Sequence, residues 1–174
     1  SSNVSHFFGC PYRDIWRTGN NLYNSGGGGY VLSKMALEQF ITKALNHSKC
    51  VKPEPRQTKN SKGSKSKKVS NRGEDLEIAN CLKLIGILPE DTRDHENRSR
   101  IFQGALRSYL YPFSNHTQEN AIRYYRLKHG ASAVSERLIS FHKVTPSEMY
   151  VFEFLLYHAK TALPGDRHLA TVAI

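Results

Sequence analysis

Tyr23-Asn24-Ser25-Gly26-Gly27-Gly28-Gly29-Tyr30-Val31-Leu32-Ser33-Lys34 sets four consecutive glycines between a polar turn and a short apolar run. Glycine lets the backbone take positive φ and lets another group approach the main chain closely. Four in a row describe either a slack turn or a floor beneath a ligand, and both readings stand at this point. Neither a dinucleotide fingerprint nor a phosphate-binding P-loop can be written on the run. Downstream, Tyr30-Val31-Leu32 is expected as a short buried strand, and Ser33 is suited to cap a helix that begins at Lys34. Met35, Ala36, Leu37, Phe40, Ile41, Ala44 and Leu45 recur at helical spacing, which predicts an amphipathic helix to about Asn46 with its apolar face in the core. Upstream, His6-Phe7-Phe8-Gly9 reads as a short strand running into a loop.

Farther along, Glu74 to Ile85 predicts a second helix with Leu76, Ala79, Leu82 and Ile85 on one side and Gly86 near its end. By itself, Glu74-Asp75 is an ordinary acidic helix start, favoured by the macrodipole. Residues 89–120 read as loops with a short strand near Ile101-Phe102. Leu138 to Val144 alternates as a strand, with Leu138, Ser140, His142 and Val144 on one face. Thr145-Pro146-Ser147-Glu148 combines capping-box spacing with proline at the first helical position. Met149, Phe152, Leu155 and Leu156 are expected to pack that helix down to about His158.

The 174 residues suffice for one domain with its own core. A net charge of +10 first suggests nucleic acid or an anionic surface. Its location argues otherwise. Eight Lys/Arg and one acid fall between Lys52 and Arg72, so most of the excess sits in one polar stretch. That stretch holds one valine between its ends and is expected to be a disordered basic insertion; a polybasic binding module is its rival reading. No run of 18 apolar residues is present and no signal-peptide pattern opens the chain, so no membrane span is expected within it. Four Asn-x-Ser/Thr sequons, at Asn3, Asn46, Asn97 and Asn115, hint at a secretory compartment. Three cysteines, Cys10, Cys50 and Cys81, would there leave one unpaired after a single bridge.

Ser25 to Lys34 resembles the SGGAGYVLSK segment of the core 1 β1,3-galactosyltransferases, enzymes of the Fringe-like β1,3-glycosyltransferase superfamily that add galactose to O-linked N-acetylgalactosamine. Glu74-Asp75-Leu76 and Ser140-Phe141-His142 occur in the family's order. The resemblance covers about residues 6 to 160 apart from the 52–72 stretch. It implies an α/β fold of the GT-A type, here its C-terminal, acceptor-side half, with a partial mixed sheet and flanking helices. The domain so defined is 1–51 with 73–160, trailed by a tail at 161–174.

By the same resemblance, Asp75 is the catalytic base with Glu74 beside it, and His142 is a ligand of Mn²⁺. Gly27, Gly28, Gly29, Tyr30, Tyr124 and Tyr125 lie near the sugars, and Trp16 is either core or a sugar-stacking ring. The family also has cysteines where Cys50 and Cys81 stand, which implies a bridge; two free buried thiols are the alternative. The implied reaction is inverting β1,3 transfer of galactose from UDP-galactose to GalNAc-Ser/Thr of glycoproteins. The implied setting is the lumen of the Golgi, with a type II membrane anchor outside this chain, a possible homodimer and no nucleic-acid partner. Two departures qualify it: no Asp-x-Asp occurs, and the family's tryptophans and adjacent Cys-Cys are replaced around Ser132-Ala133-Val134. Rival readings are therefore a non-catalytic truncated paralogue or chaperone-like relative, and a Fringe-like transferase with another donor or acceptor.

Overall fold

The computed structural model describes residues 3–15, 21–51, 73–111, 117–128 and 130–160. Trp16, the basic insertion 52–72, Asn115 and the 161–174 tail lie outside the described residues. The chain divides into two units, Ser1–Lys143 and Val144–Ile174.

In the first unit, short strands pair into three two-stranded ribbons. β1 (Phe7–Phe8) runs antiparallel to β4 (Val31–Leu32), and β2 (Pro11–Asp14) antiparallel to β3 (Asn21–Asn24). β5 (Ile101–Phe102) runs parallel to β6 (Ser140–Phe141). Single bridges join these ribbons to the rest: Phe8 with Glu90, Tyr12 with Arg123, and Ser99 with Val134. Helices and small parallel and antiparallel sheets make an α/β fold.

β4 is less buried than the sequence suggests. Val31 is 58% exposed, because a two-residue strand paired on one side turns alternate residues outward. Tyr30 and Leu32 point the other way and pack on Phe7, Ala36, Ala79, Leu82 and Ile87. α1 (Lys34–Gln39) comes next, capped by Ser33, whose Oγ accepts from the Ala36 N–H at 3.2 Å. It continues through a wider π-helical turn, Phe40–Ala44. Ala36 and Ala44 are buried and Phe40 packs on the core, whereas Leu37, Ile41 and Leu45 are exposed. The apolar face that spacing predicts is thus covered only along its i, i+4, i+8 stripe.

α2 (Ser48–Val51) holds Cys50, and α3 (Glu74–Leu84) holds Cys81. The two sulfurs form a disulfide with a Cα–Cα separation of 4.9 Å. α3 buries Ala79, Cys81 and Leu82 and ends at Gly86, whose φ of +79° is the left-handed conformation that favours glycine after a helix. α4 (Leu106–Leu110) and α5 (Thr117–Ile122) lie in the region expected as loops. Tyr109 of α4 is buried with Phe102, Leu127 and Ala133 in a second cluster.

The long strand expected at 138–144 shrinks to Ser140–Phe141. Lys143 adopts φ +55°, which ends the extended run, and Ile139 is 64% exposed. In the second unit, α6 (Pro146–Glu153) begins with a complete capping box: Thr145 Oγ1 accepts from the Glu148 N–H, and the Thr145 N–H donates to the Glu148 carboxylate. It continues as a π-helical turn, Phe154–His158. Of the residues expected to pack, Phe152 is half-buried, whereas Met149, Leu155 and Leu156 are exposed and neither segment holds a fully buried residue.

A candidate active site around the tetraglycine turn

Gly26–Gly28 form one 3-10 turn, closed by the Gly29 N–H donating to the Gly26 carbonyl at 3.0 Å. Gly29 has φ +83°, so the chain leaves the turn in a conformation that side chains oppose. The turn is therefore ordered, and three separate parts of the sequence converge on it.

The first is the start of α3. The Gly26 N–H donates to Asp75 Oδ2 at 2.9 Å, and the Leu76 N–H donates to Asp75 Oδ1 at 2.9 Å. Both carboxylate oxygens are thus held by backbone donors, and the half-buried side chain is locked against the turn. Glu74, beside it, is exposed and accepts the Tyr30 hydroxyl. Tyr30 stacks edge-on against Phe7, with ring centroids 5.7 Å apart. Burial, then the Glu74 hydrogen bond and charge, push the Tyr30 phenol above its ordinary value. The tyrosine therefore stays a hydrogen-bond donor and aims the Glu74 carboxylate.

The second part is β5. Gln103, just past its end, accepts the Gly28 N–H through Oε1 at 3.0 Å. The third is β6: Ser140 donates its hydroxyl to the Gly28 carbonyl at 2.5 Å. His142, two residues on, reaches the turn directly. A Cβ added at Gly27 would strike His142 Nδ1 and come within 2.7 Å of the Gln103 amide. A Cβ at Gly28 would lie 2.9 Å from the Phe102 carbonyl, and one at Gly26 3.4 Å from Asp75. Each of the first three glycines thus makes room for a different neighbour.

Glu74, Asp75, Gly27, Gly28, Tyr30 and His142 accordingly gather around one turn. Tyr124 and Tyr125 are held differently. Tyr124 is anchored to β2 through its N–H on the Pro11 carbonyl at 3.0 Å, and Arg13 lies 5.0 Å over its ring. Tyr125 carries Arg93 at 3.9 Å over its face, and the two tyrosines meet edge-on. Gln103 and the Ser140 hydroxyl are site components that sequence pattern did not reveal. A lone glutamine after a two-residue strand carries no spacing signal. Ser140 belongs to the Ser140-Phe141-His142 motif, but nothing in the motif assigns its hydroxyl a role.

The implied manganese finds one donor here. His142 is exposed and offers an imidazole, but among the described residues no three His, Cys, Asp or Glu side chains gather as a metal centre. Each Asp75 oxygen accepts one backbone amide and keeps a second lone pair. Among the described residues His142 is the imidazole beside the glycine turn. Among the sequon asparagines, Asn3, Asn46 and Asn97 are exposed. No helix of the described residues is long and apolar enough to cross a membrane.

No protein-family model matches the chain. Among curated proteins it is 29% identical, over 164 residues, to glycoprotein-N-acetylgalactosamine 3-beta-galactosyltransferase 1 of Xenopus laevis. The chain is similar to this galactosyltransferase. The match takes in 88% of the chain and 38% of the relative's length. The similarity to a galactosyltransferase thus extends well beyond the residues that meet at the glycine turn.

Proposed function

We propose that this chain is the acceptor-side part of a GT-A-type β1,3-galactosyltransferase, working in the Golgi lumen on O-linked GalNAc of glycoproteins with UDP-galactose as donor. The observation that carries the reading is the convergence of Glu74-Asp75 and Ser140-Phe141-His142, 65 or more residues apart in sequence, on the same tetraglycine turn. Inverting transfer needs a base to take the proton from the attacking hydroxyl, and the two sugars must be held in line. Asp75 is that base. Its carboxylate is clamped by the Gly26 and Leu76 amides, so its direction is set before the acceptor arrives. Glu74, aimed by Tyr30, is placed to accept a hydrogen bond from an acceptor hydroxyl. The glycines give a sugar access to bare backbone between them.

A bound Mn²⁺ would offset the charge of the leaving diphosphate. In this reading His142 contributes one imidazole, and the remaining ligands come from a donor-side part of the protein.

The test is Asp75→Asn in protein that carries the donor-binding part as well. Galactose transfer to a GalNAc-bearing peptide should fall about 10²- to 10⁴-fold, the range for losing a general base. UDP-galactose binding should be retained. Near-normal turnover would remove Asp75 from the chemistry.

A further inference from the structure

One face of the β5–β6 ribbon is turned toward the glycine turn. In the parallel register Ile101 pairs with Ser140 and Phe102 with Phe141, and the His142 N–H carries the ladder one step on by donating to the Gly104 carbonyl at 3.2 Å. Side chains alternate along each strand. Phe102 and Phe141 therefore point away, into the cluster with Tyr109 and Leu127. Ile101, Gln103, Ser140 and His142 point at the turn, and all four reach it. Ile101 packs beside Gly28, the Ser140 hydroxyl donates to the Gly28 carbonyl, and Gln103 and His142 lie against Gly27.

The Gln103 amide is set in one orientation. Its Oε1 accepts the Gly28 N–H at 3.0 Å, so Nε2 is the end left over. Among the described residues Nε2 donates to nothing, and Gln103 is half-buried rather than enclosed. Nε2 lies 2.7 Å from the place a Cβ would take at Gly27, where the missing side chain leaves the backbone bare. On the preceding glycine, the Gly26 N–H holds Asp75 Oδ2. A fixed amide donor and a fixed carboxylate thus lie beside neighbouring glycines, whose Cα atoms are about 3.8 Å apart. That spacing is less than the span of one sugar ring with its hydroxyls. A donor fixed beforehand also avoids the ordering cost that a free glutamine side chain carries into binding.

We infer that Gln103 is a specificity-determining residue, whose Nε2 donates to an oxygen of the acceptor sugar other than the attacking hydroxyl. The inference rests on the galactosyltransferase reading above.

The test measures kcat/KM in protein that carries the donor-binding part, on a GalNAc-bearing peptide and on analogues that each lack one sugar oxygen other than the attacking one. With the unmodified protein one analogue should lose about 3- to 10-fold, the range for a neutral hydrogen bond. In Gln103→Glu a carboxylate oxygen still accepts the Gly28 N–H, but the donor is gone. This variant should lose as much on the complete acceptor and nothing further on that analogue, with UDP-galactose binding unchanged. An analogue penalty that persists in the variant, or a variant equal to the unmodified protein on the complete acceptor, would overturn the inference and leave the galactosyltransferase reading standing. Weaker UDP-galactose binding would move the amide to the donor sugar and overturn it too. No transfer by the unmodified protein to any of these acceptors would overturn the reading itself, and the inference with it. Should Gln103→Glu not fold, Gln103→Met is read the same way.

Discussion

Gly27 and Gly28 are adjacent and chemically identical, yet substitution should separate them. At Gly28 an added methyl meets backbone, the Phe102 carbonyl at 2.9 Å, which cannot swing aside. Gly28→Ala should therefore lower stability by about 1–3 kcal/mol, the usual cost of overpacking, read as a drop in the denaturation midpoint. At Gly27 the same methyl meets the side chains of His142 and Gln103, which can rotate. Gly27→Ala should leave the midpoint nearly unchanged while lowering transfer activity in the complete enzyme. Comparable stability losses in both variants would count against the arrangement around the turn. Tyr30→Phe removes the hydroxyl that aims Glu74. It should reduce turnover more than acceptor-independent UDP-galactose binding, and equal losses in both would mean that Tyr30 is only packing.

At the scale of elements, α3 does two jobs. Its buried side, Ala79 and Leu82, closes the core against Phe7 and Ala36, while its first turn presents Glu74 and Asp75. Leu82 is fully buried, so Leu82→Ala should cost about 2–5 kcal/mol in chemical denaturation. The Cys50–Cys81 bridge ties α2 to α3 across a sequence separation of 31 residues. Reducing it, or replacing both cysteines by serine, should cost about 2–4 kcal/mol through the enlarged unfolded ensemble. Differential scanning calorimetry with and without reductant would measure this. An unchanged transition would show that α3 is held by packing alone. The helix ends were readable because their signals are local: Ser33, the Thr145–Glu148 box and Gly86 each act within a few residues. Packing was not local. The apolar run from Met149 to Tyr157 has helical content without a buried residue, and Val31 faces out of its own ribbon.

For the molecule as a whole, acid should be the weak side. Glu119 is penalised by burial, yet Arg123 and the two tyrosine hydroxyls outweigh this and hold its carboxyl below the ordinary 4.5. Asp91 is likewise held down, by its hydrogen bonds with Arg93. A carboxyl whose folded value lies below its unfolded value stabilises the fold above the unfolded value and loses that contribution as pH falls toward the folded one. Stability should therefore be level from neutral pH down to about 4.5 and then decline. Glu119→Gln should flatten the acid limb while lowering stability at neutral pH, since it leaves Arg123 buried without its charge partner. Circular dichroism melts across the acid range would check both, and an unchanged slope in the variant would assign the acid limb to other groups.

Sequence by itself determined the α/β character, the helix starts, the Glu74-Asp75 and Ser140-Phe141-His142 motifs and the resemblance that joins them. These depend on residue order and on interactions spanning one or two turns. Only the tertiary structure decided that the four glycines form an ordered turn, that Gln103 and the Ser140 hydroxyl hold it, and that Cys50 joins Cys81. It alone also left Arg100 Nε and Arg123 Nη2 buried without a hydrogen-bond partner among the described residues. Such contacts join residues tens of positions apart. Their geometry comes from how the ribbons and α3 pack, and no local spacing encodes that.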